Sequence, residues 1–328
     1  MSENSAMLKS LAAALFSLLV ISVPAVVHAH SKTDFNSPRS AVISGDGGVP
    51  LVVQEWGNPD GVPILLLHGM GFSSVVFKNQ IGELAEKARI VSFDLRGHGL
   101  SGKPWKSEDY AGWEVWARDV EAVIADRGLD RPVIVGWSFG GYVAMNYLRH
   151  CGVHCARGVV LASSLAGLVE NPPPPDPADY GMPEPAGDVR SDNYHELFDG
   201  IAWTSRVMTA QPSSFSNKRL MELSMAMSPP YAKRAMMEIW LDNSDLPGHL
   251  NLPILMIHGA IDGTVTLEKV AELKAHLPDS RSILYPESGH SPFLEEPDRF
   301  NRDLLEFLAE LELNTALAEG RSAAITDR

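Results

Sequence analysis

The chain has 328 residues, of which 45% are hydrophobic, enough for one large domain with a sizeable core. Its formal net charge of −14, with no cluster of Lys or Arg, argues against nucleic acid or an anionic membrane surface as a partner. The only cysteines, Cys151 and Cys155, lie beside His150 and His154, but C-x3-C matches no common zinc pattern.

Lys9 is followed by an apolar run over residues 11–23, interrupted by Pro24, and then by Val27-His28-Ala29. A basic residue, a short apolar stretch and a small-x-small site predict a secretory signal peptide over residues 1–29, cleaved after Ala29. The run is short for a bilayer span, so an uncleaved anchor is the lesser alternative. Export to the periplasm or medium follows, with no stable membrane insertion after cleavage. In that oxidising setting Cys151 and Cys155 form a small disulfide loop or stay as thiols.

Residues 41–55 alternate around Gly45-Asp46-Gly47-Gly48 and predict a β-hairpin. Apolar strands follow at 63–67, 88–93, 132–135, 158–163, 252–257 and 282–285. Helical patterns lie between them at 77–86 and 114–127 and close the chain at 299–313. Such alternation predicts a doubly wound, mostly parallel α/β sheet. Two core parts, 30–165 and 251–313, flank an insertion at 166–250, and residues 314–328 are expected to form a frayed tail. The insertion opens on Pro172-Pro173-Pro174-Pro175 and has no strand pattern, so it reads as a helical cap. It carries Met182, Met208, Met221, Met225, Met227, Met236 and Met237, which form an adaptable apolar surface or pack the cap itself.

Chemistry concentrates at strand ends. Val133-Ile134-Val135-Gly136-Trp137-Ser138-Phe139-Gly140-Gly141 sets Ser138 in a G-x-S-x-G frame between a buried strand and a helix, the form of a nucleophile elbow. Gly136 and Gly140 keep the turn free of clashes, and Ser138 is the candidate nucleophile. A serine hydroxyl needs a base and a group to orient it. His290, in Glu287-Ser288-Gly289-His290-Ser291, and Asp262, in Ala260-Ile261-Asp262-Gly263, both fall in loops after strands, where open parallel sheets build their sites. Ser163 and Ser164 occupy another strand end.

The order Ser138, Asp262, His290 resembles the serine-nucleophile, helical-cap branch of the α/β-hydrolase superfamily, over about residues 41–311. His68-Gly69-Met70-Gly71 is similar to the oxyanion loop of that family, and Asp94-Leu95-Arg96-Gly97-His98-Gly99-Leu100-Ser101 to its D-x-R-G-x-G-x-S loop. The resemblance implies an oxyanion hole from the N–H groups of Met70 and Phe139. Trp137 is the substrate-binding candidate, with packing of the elbow as the alternative. His68 is expected to brace the oxyanion loop, Arg96 and His98 to be structural, and His258 to be a core histidine. The implied activity is hydrolysis of carboxylic esters, including lactones and thioesters, on a small-molecule substrate with a medium-sized, rather apolar acyl or alkyl group and without a metal or organic cofactor. C–C bond hydrolysis and cofactor-free haloperoxidase or perhydrolase chemistry use the same parts, and a ligand receptor retaining the triad is the reading from another class.

Overall fold

The computed structural model describes residues 37–174, 176, 187–210, 213–237, 239 and 242–326, with side chains described to residue 317. The predicted signal peptide and its cleavage site lie outside the described residues, as do Pro175 and Met182.

Eight strands form one sheet in the order β1-β2-β4-β3-β5-β6-β7-β8. β1 (Arg39–Ser44) and β2 (Pro50–Gly57) pair antiparallel as the expected hairpin, through a turn in which Gly47 and Gly48 adopt φ of 64° and 78°. β2 is also antiparallel to β4 (Ala88–Phe93). The other strands run parallel: β3 (Val62–Leu67), β5 (Val133–Trp137), β6 (Gly158–Ala162), β7 (Ile254–Gly259) and β8 (Arg281–Tyr285). The central strands read as unbroken apolar runs because both faces are covered. Along β3, Leu65 and Leu67 join the core on one face while Ile64 and Leu66 join that on the other. One face packs under α2 (Glu114–Arg127) and α3 (Phe139–Cys151), the other under α1 (Lys78–Lys87) and the closing helix. Cys151 and Cys155 are joined as a disulfide at the end of α3.

Between β6 and β7 the described residues hold no strand but three helices: α4 (Tyr194–Val207), α5 (Phe215–Ala226) and α6 (Pro230–Met237). Asn193 and Ser214 cap the first two, accepting hydrogen bonds from the N–H groups of His195 and Asn217. Met221, Met225 and Met236 are buried in the two cores, whereas Met237 is half exposed. Most of the described insertion methionines are therefore buried against the rest of the fold.

The elbow turn is tight, and the end of the chain differs from expectation. The elbow helix α3 begins at Phe139, immediately after Ser138, because the strand turns straight into it without a loop. After α7 (Leu267–His276) and the single-turn α8 (Pro292–Glu295), the closing helix α9 runs from Pro297 to Thr326. The expected frayed tail is thus helical, in keeping with the helix formers Ala316, Leu317, Ala318 and Glu319 and the absence of proline. No helix among the described residues is long and apolar enough to cross a membrane.

Candidate active site

Ser138 sits at the carboxyl end of β5 with φ 50° and ψ −118°, a conformation that costs an L-residue about 1–3 kcal/mol and persists only where the surroundings enforce it. Its N–H donates to the Ala162 carbonyl at 3.0 Å, and its own carbonyl accepts from Gly141 N–H at 3.0 Å and from the Ser164 hydroxyl at 2.6 Å. A Cβ on Gly136 would fall 2.5 Å from the Gly140 carbonyl oxygen, so strand and helix approach to a distance only glycine allows. The turn leaves the Ser138 side chain partly exposed while Trp137 and Phe139 on either side are buried. Phe139 opens α3, so its N–H has no acceptor within the helix.

The other two candidates meet each other, with the His290 ring 5.9 Å from that of Trp137, the residue before Ser138. His290 Nδ1 lies 2.8 Å from Asp262 Oδ2, and both side chains are almost wholly buried. The second carboxylate oxygen of Asp262 accepts from Thr264 N–H at 2.7 Å and Val265 N–H at 2.9 Å, which holds the acid aimed at the ring. With Nδ1 bonded to a carboxylate, the neutral ring carries its proton there and Nε2 is left with a lone pair able to accept one. His290 Nε2 is buried and makes no hydrogen bond.

The loop expected to supply the oxyanion hole follows β3. A Cβ on Gly69 would lie 3.3 Å from Ser138 Cβ, which puts the Gly69–Met70 peptide against the elbow. His68 and His98 brace this loop, edge to face at 4.9 Å between ring centres. His68 Nδ1 meets the Gly69 carbonyl at 2.9 Å and its Nε2 accepts from Leu95 N–H at 3.0 Å, while His98 Nδ1 meets the Arg96 carbonyl at 2.8 Å and its Nε2 accepts from Gly71 N–H at 2.9 Å. Each ring therefore has one donor and one acceptor nitrogen in use, the pattern of a neutral imidazole. Burial pushes both below the usual histidine range. Asp94 accepts from the N–H and hydroxyl of Ser74 and from Leu100 N–H, and Arg96 makes a buried ion pair with Asp119 at 2.7 Å. The D-x-R-G-x-G-x-S loop is scaffolding, as its sequence suggests.

Trp137 has no exposed surface. Its indole N–H donates to the His290 carbonyl at 2.7 Å, and its ring packs on Phe72 and Phe293. Of the two roles open to it, the geometry corresponds to packing: it ties the elbow to the histidine loop. Sequence reading missed Glu295, whose carboxylate accepts from the N–H groups of Gly289, Ala210 and Ser291 at 3.0, 2.6 and 3.1 Å and so fixes the loop on either side of His290. The available signal was an acid in a short Pro-started helix directly after a Gly-rich loop.

His258, on β7, is buried with neither ring nitrogen hydrogen-bonded, and burial pulls it down to about 4, with His290 adding in the same direction and Asp262 opposing. The native protein thus holds this ring neutral where the unfolded chain, at about 6.5, takes a proton. Its contribution is fully present above about pH 6.5 and is lost as pH falls toward 4, by roughly 3 kcal/mol in all. Melting curves from pH 7.5 to 4.5 are expected to show Tm falling through this window, and His258→Leu, which loses no hydrogen bond, to flatten the fall. An unchanged slope in the variant removes His258 as the cause.

A cavity of about 70 Å³ opens beside the loop at 68–71, lined by Met70 and Gly71 from that loop and by Val189, Thr204, Met225, Lys233 and Met237 among the insertion residues. No group of His, Cys, Asp and Glu suited to a metal ion occurs among the described residues.

Residues 64–303 match the model of the alpha/beta hydrolase family. The AB hydrolase superfamily protein YisY of Bacillus subtilis is 29% identical over 79% of this chain and 95% of its own length. The bifunctional esterase/perhydrolase DCH of Acinetobacter calcoaceticus is 27% identical over 80% and 96%. A crystal structure from Burkholderia cenocepacia, described as a candidate aryl esterase, superposes with a TM-score of 0.75 at 32% identity, covering 83% of this chain and 99% of that one. With its strand order, its elbow and this match over most of its length, the chain belongs to the alpha/beta hydrolase family and is a hydrolytic enzyme of that kind.

Proposed function

We propose that the chain hydrolyses carboxylic esters through an acyl-enzyme on Ser138. The observation that carries this reading is the buried Asp262–His290 pair at 2.8 Å, whose His290 Nε2 has no partner, next to a serine held at φ 50°. His290 Nε2 takes the Ser138 proton as Oγ bonds to the carbonyl carbon, and the carbonyl π pair moves to oxygen. The N–H groups of Met70 and Phe139 stabilise that oxyanion. Collapse expels the alcohol, which receives the proton from His290, and water activated by the same nitrogen then releases the acid and restores Ser138. Asp262 holds the tautomer and stabilises the charged ring.

Residues 166–250 serve in this reading as a cap over Ser138, supported by their three helices and by the shared lining of the cavity. Export through residues 1–29 is part of the proposal, and the Cys151–Cys155 disulfide suits an oxidising compartment. Perhydrolysis is the second reading, favoured by the likeness to the Acinetobacter esterase/perhydrolase; it differs in hydrogen peroxide replacing water at deacylation.

A fluorophosphonate is expected to label the wild type stoichiometrically on the peptide containing Ser138, and Ser138→Ala to take no label. Turnover of p-nitrophenyl esters should stop as labelling completes. Labelling elsewhere, or esterase activity surviving full labelling, rules the assignment out.

A further inference from the structure

Lys233 is a cation in an apolar place. It lies on α6 with 3% of its surface exposed, and its Nζ donates to one acceptor, the Met225 carbonyl at 2.9 Å. An ammonium has three donors, and no carboxylate pairs with this one among the described residues. Buried charges are ordinarily paired, because desolvation alone is costly. Arg96, at the same level of burial, shows the ordinary solution in its bidentate pairing with Asp119.

Two features point the unpaired charge toward a ligand. Lys233 lines the cavity together with Met70 and Gly71, and its Cε lies 3.9 Å from where a Cβ on Gly71 would be, so the amine stands next to the oxyanion loop. The remaining walls, Val189, Thr204, Met225 and Met237, are apolar but for Thr204, and the neighbouring imidazole, His98, keeps its Nε2 on Gly71 N–H. A ligand anion in this cavity meets one cation, and none of the lining residues is a carboxylate that would compete for it.

We infer that Lys233 is a carboxylate-recognition residue and that the preferred esters carry a free carboxylate a short chain away from the scissile carbonyl, as in half-esters of short dicarboxylic acids. This rests on the proposed esterase reaction and narrows its substrate class. Burial pulls the Lys233 amine down to about 8, so it remains mostly protonated at neutral pH. The net charge of −14 opposes such substrates only weakly at the cavity, because charges more than about 8 Å away are largely screened at physiological ionic strength.

The test compares the monomethyl esters of succinate, glutarate and adipate with the dimethyl esters of the same acids, followed by pH-stat at pH 7. The wild type should favour at least one half-ester by about tenfold or more in kcat/KM, and Lys233→Met should erase that preference while leaving diester hydrolysis within about twofold. Lys233→Arg should retain part of it. Preference for the diester at every chain length, or equal losses on both ester types in Lys233→Met, overturns the assignment, the latter marking Lys233 as a mere tether of α5. Should Lys233→Met not fold, competitive inhibition of diester hydrolysis by the free dicarboxylate in the wild type decides: millimolar or tighter inhibition supports the subsite, and none overturns it. A wild type that hydrolyses no ester and takes no fluorophosphonate defeats the esterase reading itself, an outcome distinct from loss of selectivity.

Discussion

Ser138→Ala is expected to lower kcat for a carboxylic ester by about 10⁶-fold, and Asp262→Asn by about 10⁴-fold, with Tm close to wild type in both. The two numbers differ because the two groups do different work. Without Oγ there is no acyl-enzyme, and only the oxyanion donors and substrate positioning remain. With Asn at 262 the nucleophile stays, but the amide can donate to His290 Nδ1, which then favours the tautomer with its proton on Nε2, the nitrogen that has to accept one. The Thr264 and Val265 N–H groups that now bind one oxygen of Asp262 still find an amide oxygen, so the loop is expected to keep its shape. Double replacement should cost little more than Ser138→Ala alone, because a base without its nucleophile contributes nothing further. Single-turnover kinetics with a p-nitrophenyl ester check this directly. Additive losses in the double variant mean that the residues do not act as a unit, and a kcat within tenfold of wild type for Ser138→Ala removes it from the chemistry.

Much of this was legible in the sequence, for physical reasons that can be located. The central strands are covered on both faces, so 63–67 and 132–135 are apolar without interruption and their ends are sharp. Ser138, Asp262 and His290 lie in short loops at strand ends, where chain order alone brings them to one edge of the sheet. Other features needed the third dimension. Gly140 and Gly141 look like loop residues by propensity, yet they form the first turn of α3 because β3 packs against that turn more closely than a side chain permits. Glu295 reads as one more acid on a surface helix until three backbone N–H groups converge on it. Lys233 has the spacing of an ordinary solvated lysine, and only the packing of α5 and α6 over the oxyanion loop buries it.

Gly140→Ala is expected to be among the most damaging single methyl groups that can be added to this protein. A Cβ there would sit 2.1 Å from the Leu67 carbonyl oxygen, 2.7 Å from the Leu67 carbonyl carbon and 3.0 Å from the His68 carbonyl oxygen. All three are backbone atoms, so no rotamer change relieves the overlap. Either α3 withdraws from β3, breaking the support that holds Ser138 at φ 50°, or residues 67–68 shift and carry the oxyanion loop with them. Overpacking of this kind costs about 3 kcal/mol or more, and displacement of the Met70 N–H adds a 10²- to 10³-fold loss of kcat by order of magnitude in whatever fraction folds. Gly82→Ala is the control. It lies in α1, where a Cβ meets nothing within 4 Å, so the same substitution should stabilise by about 0.5–1 kcal/mol through helix propensity and leave kinetics untouched. Urea unfolding of the two variants beside the wild type separates these signs. Wild-type stability and turnover in Gly140→Ala would mean that the close approach of α3 to β3 is not what holds the nucleophile in place.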